Sequence, residues 1–143
     1  MTIQIPVSHQ DLLRQPINGV LTTMMPDGQP QMSMVWVDLD GECVLINTAL
    51  ERQKVKNMRA NPKVNVLVID PQKSTRFLEV RGEVAAITQE GAIAHADKQT
   101  QAYSDNKKQR FYGDIYPLEE QERETRVIVR ISPKKITANA IFS

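Results

Sequence analysis

The sequence contains little of what several classes of site require. It has one cysteine, Cys43, which excludes an intrachain disulfide. It has two histidines, His9 and His95, far apart and without a cysteine at ligand spacing, so we expect no metal site. No apolar run approaches the length of a membrane span, and residues 1–10 have no apolar core of signal-peptide length. We therefore expect a cytoplasmic protein without a membrane partner.

Excess charge and exposed aromatic residues are also scarce. The chain has 18 Lys and Arg residues and 17 Asp and Glu residues, which gives a net charge of +1. The overall electrostatic field therefore does not favour binding of nucleic acid. Aromatic residues are 5% of the chain, and Trp36 and Phe77 are the only strand positions suited to stacking on single-stranded bases. We expect no nucleic-acid partner, although a small nucleic-acid-binding barrel stays as an alternative from another class.

Catalytic combinations of side chains are missing as well. No Ser-His-Asp or Cys-His arrangement and no paired carboxylates stand out, so we assign no catalytic residue. If the protein is an enzyme, the reactive atom belongs to a cofactor.

The pattern of apolar residues predicts a mainly β domain covering residues 1–143. Turn residues at 26–28 and 40–41 separate three strands, which predicts an antiparallel meander. A strand at 63–68, a long strand at 75–87 with a bulge at Gly82, and a bent strand from 125 to 142 follow. Helices are expected near Ser8, which would cap the first, at 51–61 and at 89–107. About six strands with few helices indicate a small antiparallel barrel.

The most informative segment joins a strand to a basic helix. Asn47 and Thr48 end an apolar strand, and Arg52 and Lys54 are predicted in the first helical turn. A helix N-terminus carries unpaired N–H groups and a partial positive charge, so these cations favour a phosphate site. The alternative is a solvated basic helix whose lysine stems cover apolar surface, and spacing alone favours that reading.

Some other candidate residues allow either a structural or a functional interpretation. Trp36 and its in-phase neighbour Met34 suit a core or subunit contact, or a wall against a planar ring. His95 lies on the apolar side of its helix, and we assign it no role. The acidic run at 119–124 is predicted to be a solvated segment. Phe111, Tyr112 and Tyr116 are possible anchors of an irregular segment.

Several segments together resemble a known family. They read GVLTT at 19–23, DGQPQ at 27–31, VWVD at 35–38, NT at 47–48, RQKVKNM at 52–58, NPKV at 61–64, LEVRGEV at 78–84 and RVIVRISP at 126–133. Nearly the whole chain is thus similar to the pyridoxamine 5'-phosphate oxidase-like split-barrel flavoproteins, specifically the short branch of flavin- and deazaflavin-dependent reductases.

The resemblance implies a six-stranded split barrel that forms a homodimer, with FMN or the deazaflavin coenzyme F420 bound at the subunit interface. Thr48, Arg52 and Lys54 would hold the phosphate, and Arg76 and Phe77 would approach from either subunit. The cofactor-binding residues implied are Met32, Ser33, Met34, Val35, Trp36, Asn47, Thr48, Arg52, Lys54, Arg76 and Phe77.

Three positions depart from the family pattern. Phe77 stands where the enzyme that oxidises pyridoxamine phosphate has glutamine, and residues 137–143 lack its Arg/Trp substrate segment. Vitamin B6 oxidation is therefore not expected. Glu51 replaces a frequent glycine and puts a carboxylate beside the phosphate residues.

Two functions follow from the resemblance. The first is an oxidoreductase that transfers hydride between the bound ring and a small conjugated or planar substrate. The second is a non-catalytic carrier of the same cofactor. The sequence does not choose between FMN and F420.

Overall fold

The computed structural model describes residues 3–140, whose six strands form a closed antiparallel barrel. The strands are β1 (Asn18–Met24), β2 (Pro30–Asp40), β3 (Cys43–Ala49), β4 (Lys63–Ile69), β5 (Arg76–Thr88) and β6 (Arg126–Ala140). Around the barrel they follow the order β1-β2-β3-β6-β5-β4. The predicted meander and six-stranded barrel are confirmed. The predicted end of the last strand, 141–142, lies outside the described residues.

Three helices accompany the barrel: α1 (Asp11–Arg14), α2 (Gln53–Ala60) and α3 (Ala92–Ser104). Short 3-10 turns lie at Val7–His9 and Leu118–Glu122, with an irregular turn at Phe111–Ile115 between α3 and β6. None of the helices within residues 3–140 is long and apolar enough to span a bilayer.

The hairpins form where the sequence predicts them. The Gly28 N–H donates to the Met25 carbonyl at 2.9 Å, and Gly28 has φ of +88°. Gly41, with φ of +60°, closes the next hairpin between β2 and β3. Left-handed backbone of this kind favours glycine, so these positions fix the register of the meander.

The barrel interior takes the inward faces of all six strands. Val35, Val37 and Leu39 of β2 point inward, while Met32 and Met34 on the opposite face stay 72% and 68% exposed. Leu12 and Leu13 of α1 and Val55 and Met58 of α2 are buried in the same core. The helices therefore attach to the barrel through their apolar residues.

The predicted bulge at Gly82 is confirmed. The pairing of β5 with β6 shifts register between Arg81 and Gly82, where Gly82 faces Pro133. A Cβ at Gly82 would lie 2.7 Å from the Ser132 carbonyl oxygen. The bulge and Pro133 bend β6 without ending it.

Helix boundaries differ from the prediction at several points. Ser8 does not cap α1, because its hydroxyl contacts His9 and Gln10 precedes the helix. Arg52 is the extended N-cap of α2 and precedes the first turn, which contains Lys54. On α3, which is shorter than 89–107, Ile93 is 42% exposed and Gln99 is buried instead.

Candidate functional site

A cavity of about 310 Å³ opens beside the middle of β2 and the end of β3, between α2 and the segment that precedes β6. It is lined by Met34, Val35, Trp36, Asn47, Thr48, Arg52, Lys54, Ala96, Gln99, Phe111, Ile115, Tyr116 and Arg126. Arg52, Lys54 and Arg126 form its basic end and Trp36 its aromatic end. Phe111 and Tyr116 lie between, because Phe111 faces the Arg126 guanidinium and Tyr116 faces that of Arg52.

Lys54 at the basic end has no carboxylate partner among residues 3–140. Burial, with added repulsion from Arg52 and Arg126, lowers the pKa of Lys54 below its ordinary value of 10.5. An anion in the cavity would relieve this destabilisation of the ammonium.

Arg126 is the most buried cation of the site. Its Nε and Nη2 atoms donate to Asn47 Oδ1 at 2.9 and 2.7 Å, and Nη1 donates to Glu124 Oε1 at 3.2 Å. Its guanidinium carbon lies 4.3 Å from the centre of the Phe111 ring. Three hydrogen bonds and a ring face therefore fix this guanidinium at the wall of the cavity.

Glu124 balances part of the positive charge. Its side chain is only 6% exposed, and it contacts Arg126, Arg52 and the hydroxyl of Tyr112. Burial, together with the Glu124 carboxylate, raises the pKa of Tyr112. The interpretation of 119–124 as a solvated run is therefore wrong for Glu124. Three cations against this one carboxylate leave the site positive.

Glu51, the carboxylate beside the phosphate residues, points away from the cavity. Its Oε1 accepts the Thr125 N–H at 2.8 Å, and Glu51 is not among the lining residues. It therefore joins the start of β6 to the loop before α2.

The aromatic end is built around Trp36. Its ring stacks on Tyr103 at 4.9 Å with an interplanar angle of 18° and meets Phe111 edge to face at 6.4 Å. Tyr103 is itself anchored, since its hydroxyl donates to Ile17 O at 2.7 Å and accepts from Val37 N at 3.0 Å. Trp36 therefore presents a fixed, half-buried wall to a planar ligand.

Gln99 is a buried amide without a hydrogen-bond partner among the described residues. The residue is 4% exposed, and neither its nitrogen nor its oxygen finds a partner. Buried polar groups are rarely left unpaired, and each one costs stability. This amide lies in the wall of the cavity, where a polar ligand would supply its hydrogen bonds.

The cavity contains most of the residues that the resemblance implied: Met34, Val35, Trp36, Asn47, Thr48, Arg52 and Lys54. Met32 and Ser33 lie farther along β2, outside the lining. Arg76 and Phe77 are not brought to this cavity within one chain. The Arg76 guanidinium binds Asp11, Asp70 and the Ser8 carbonyl instead.

Sequence reasoning missed Ala96, Gln99, Ile115 and Arg126 as lining residues and treated Phe111 and Tyr116 only as anchors. Strand order would have found Arg126. Since β3 neighbours β6, Ala49 pairs with Arg126 and places it beside the end of β3. The segment from 104 to 124 gives no comparable register.

The donor set fits a planar ligand that carries a phosphate. Cations and the Thr48 hydroxyl suit phosphate oxygens, and the Trp36 side suits a ring. Within residues 3–140, no three His, Cys, Asp or Glu side chains lie close enough together to hold a metal ion.

Comparisons with solved structures give the same fold. A protein described as an F420 reductase is 34% identical, with a TM-score of 0.77 over 93% of this chain and 98% of that one. A conserved hypothetical protein of Mycobacterium tuberculosis is 22% identical, with a TM-score of 0.72 over 97% and 86%. HupZ of Group A Streptococcus is 18% identical, with a TM-score of 0.66 over 96% of each chain.

Among curated proteins, none matches this chain significantly. The family model for pyridoxamine 5'-phosphate oxidase matches residues 5–140, almost all of the sequence. On that match and on its six-stranded barrel, this chain belongs to the pyridoxamine 5'-phosphate oxidase family.

Proposed function

We propose that this protein is an oxidoreductase that binds a flavin-type cofactor, FMN or F420, and reduces a small conjugated or planar molecule. The observation that carries the proposal is Lys54, a partly buried ammonium with no carboxylate partner among residues 3–140, at the basic end of a cavity that ends on Trp36. Such an arrangement binds a phosphate at one end and a ring at the other.

The relative described as an F420 reductase supports the deazaflavin as the first cofactor to test, since it is 34% identical over most of both chains. The donor set itself suits the phosphate of either cofactor. Oxidation of vitamin B6 is not part of the proposal, because Phe77 occupies the place of a family glutamine.

The chain's own residues would bind and orient the cofactor. Lys54 and Arg52 hold the phosphate, while Trp36 and Phe111 exclude water from one side of the ring. When bound, the cofactor supplies the hydride-transfer chemistry. Cys43, His9 and His95 do not serve as acid, base or nucleophile, so substitutions there leave measurable activity.

We also propose that the protein forms a homodimer and that it is located in the reducing cytoplasm. Met32 and Met34 form an exposed apolar strip on β2 that reaches the cavity at Met34. A second copy covering this strip would complete the mouth of the site, and the free thiol of Cys43 suits a reducing compartment.

The absorbance spectrum of the purified protein, followed by titration with FMN and with F420, tests the proposal. Lys54→Ala should weaken cofactor binding about 10–100-fold, since a charge-assisted hydrogen bond contributes roughly 1.5–3 kcal/mol. Lys56→Ala is the matched control, because Lys56 is exposed on the same helix and outside the cavity. Equal affinities for both variants and the unmodified protein would place the site elsewhere.

Turnover separates the enzyme from the carrier. A loaded oxidoreductase should pass hydride to at least one acceptor in a panel of quinones, enones and nitroaromatics. Tight binding of reduced cofactor without transfer to any acceptor would identify a carrier.

A further inference from the structure

A continuous chain of side-chain contacts connects His95 on α3 to the guanidinium of Arg126 in the cavity wall. His95 Nε2 lies 3.0 Å from Asp38 Oδ2, and His95 Nδ1 lies 3.0 Å from Asn47 Nδ2. The other end of the Asn47 amide, Oδ1, accepts two hydrogen bonds from Arg126. Asn47 is therefore shared between His95 and the basic end of the cavity.

The orientation of the Asn47 amide is determined by its partners. Arg126 is only a donor, so the atom facing it is the amide oxygen. The amide nitrogen then donates both to the Ala92 carbonyl at 2.8 Å and to His95 Nδ1. To accept this bond, Nδ1 must be unprotonated, and the imidazole proton resides on Nε2, facing Asp38.

We propose that His95 is a positioning residue of the cofactor site. Its neutral form holds the side-chain amide oxygen of Asn47, Oδ1, against Arg126 and so fixes the guanidinium at the wall of the cavity. The proposal rests on the proposed function for its ligand. It also makes the site sensitive to acid, because only an unprotonated Nδ1 accepts the hydrogen bond from Asn47.

A second proton on His95 would break this arrangement. Nδ1–H would then face the Asn47 NH₂ group, two donors without an acceptor between them. Rotating the amide would direct its NH₂ group at Arg126 and leave the Ala92 carbonyl without its partner. If the amide moves away from the facing donor or rotates, Arg126 loses hydrogen bonds to Asn47 Oδ1, and the guanidinium loses its fixed position.

Charges around His95 come from several elements. Asp38 of β2 contacts it directly, and Arg126 of β6 lies across Asn47. Arg14, Asp38, Asp40, Lys98 and Tyr103 line the adjoining cavity on which His95 borders. Burial would raise the pKa of Asp38, but hydrogen bonds from His95 and from the Leu39 N–H outweigh it and lower that pKa below 3.8. Asp38 is thus ionised throughout the range tested below.

The first test measures FMN and F420 dissociation constants from pH 8 to pH 5.5. His95→Asn provides an amide oxygen that accepts from Asn47 and takes up no proton. The ratio of the dissociation constant of the unmodified protein to that of this variant should rise about 5–10-fold as pH falls. The phosphate monoester of FMN also loses charge near pH 6, and it does so equally in both proteins. A ratio that stays constant would overturn the proposal.

His9→Gln is the matched control, since His9 is the other histidine of the chain and lies outside both cavities. It should follow the unmodified protein at every pH. If His9→Gln removed the pH dependence, the titrating group would be His9 and the proposal would fail.

The second test needs no cofactor and uses imidazole and guanidinium NMR on the unliganded protein. At pH 8, His95 should be the Nε2–H tautomer, and the Arg126 Nε–H resonance, assigned with Arg126→Lys, should move on acidification. In His95→Asn it should not move. The Nδ1–H tautomer at pH 8 would overturn the proposal. Failure to bind either cofactor at any pH would refute the proposed function, but the NMR test of His95 and Arg126 in the unliganded protein would remain valid.

Discussion

At the residue scale, Lys54 links the ionisation of the site to pH. The folded protein has a lowered pKa at Lys54, so above that pKa the unfolded chain binds more protons than the folded one. The unliganded protein should therefore become more stable as pH rises from the pKa of Lys54 in the folded state towards 10.5, the ordinary pKa of a lysine. Cofactor affinity should change in the opposite direction, because phosphate binds the charged ammonium.

These opposite slopes are the first prediction. Between pH 7 and 10, the cofactor affinity of the unmodified protein should fall roughly tenfold more than that of Lys54→Met, as measured by fluorescence titration. Urea unfolding of the unliganded proteins should show the extra stability gain only where Lys54 is present. Lys56→Met controls for loss of a surface charge on α2. Parallel pH profiles for the unmodified protein and Lys54→Met would contradict the assignment.

Gln99 yields a second prediction at this scale. Met has a similar length and carries no polar atom, so Gln99→Met removes an unpaired buried amide. The unliganded protein should gain about 2–4 °C in melting temperature, measured by calorimetry. Gln101→Met on the same helix should instead lose stability, because Gln101 donates to the Gln109 carbonyl at 3.2 Å. A less stable Gln99→Met would mean that the amide has a structural partner.

Buried polar residues were the part of the site that the sequence could not predict. Asn57 of α2 is 1% exposed and donates to Thr23 Oγ1 at 3.0 Å, a contact that the helical period alone does not predict. The sequence assigns no role to His95 and predicts a solvated Glu124. Periodicity reports which face of an element is apolar, whereas the partner of a buried polar group comes from another element.

At the element scale, hairpins and the bulge were predictable because glycine and proline act locally. Gly82 also permits the close approach of β6, where a Cβ would lie 2.7 Å from both Ile131 Cγ2 and the Ser132 carbonyl oxygen. Backbone atoms cannot rotate away as a side chain can. The bulge therefore depends on the absence of a side chain at this position.

Gly82→Ala should consequently destabilise the protein by about 2 kcal/mol, the usual cost of overpacking. Urea denaturation measures it as a lower midpoint with an unchanged slope. Glu83→Ala introduces the same residue one position along β5, where the side chain is only partly buried, and should cost less than about 1 kcal/mol. Equal midpoints for the two variants would show that β5 and β6 separate at the bulge at little cost.

At the scale of the whole molecule, the sequence predicted the strands but not how the chain between 104 and 124 encloses the cavity. Phe111 and Ile115 lie on an irregular turn that Tyr116 follows, and within it Tyr112 and Gly113 leave the helical range. Such a segment has no period to extrapolate. Its position is set by contacts with α3 and Arg126, including Asp97 Oδ1, which accepts the Phe111 N–H at 2.8 Å.

The proposed dimer is a property of this same scale. Met32 and Met34 on β2 are 72% and 68% exposed, and Met34 also lines the cavity. If a second copy covers them, a carboxylate at Met32 would be buried without a partner, which costs several kcal/mol. Met32→Glu should therefore shift the protein from dimer to monomer in sedimentation equilibrium at micromolar concentration. Cofactor affinity should fall with it, since the partner would complete the mouth of the site.

Val7→Glu is the matched control for this change, because Val7 is 79% exposed on the N-terminal turn and away from the cavity lining. Val7→Glu should change neither the mass of the assembly in solution nor the cofactor affinity. If the site lay within one subunit, Met32→Glu would also keep its cofactor affinity. A monomeric unmodified protein at micromolar concentration would refute the dimer. It would also restrict the cofactor to the residues of a single barrel, with Arg76 and Phe77 outside the site.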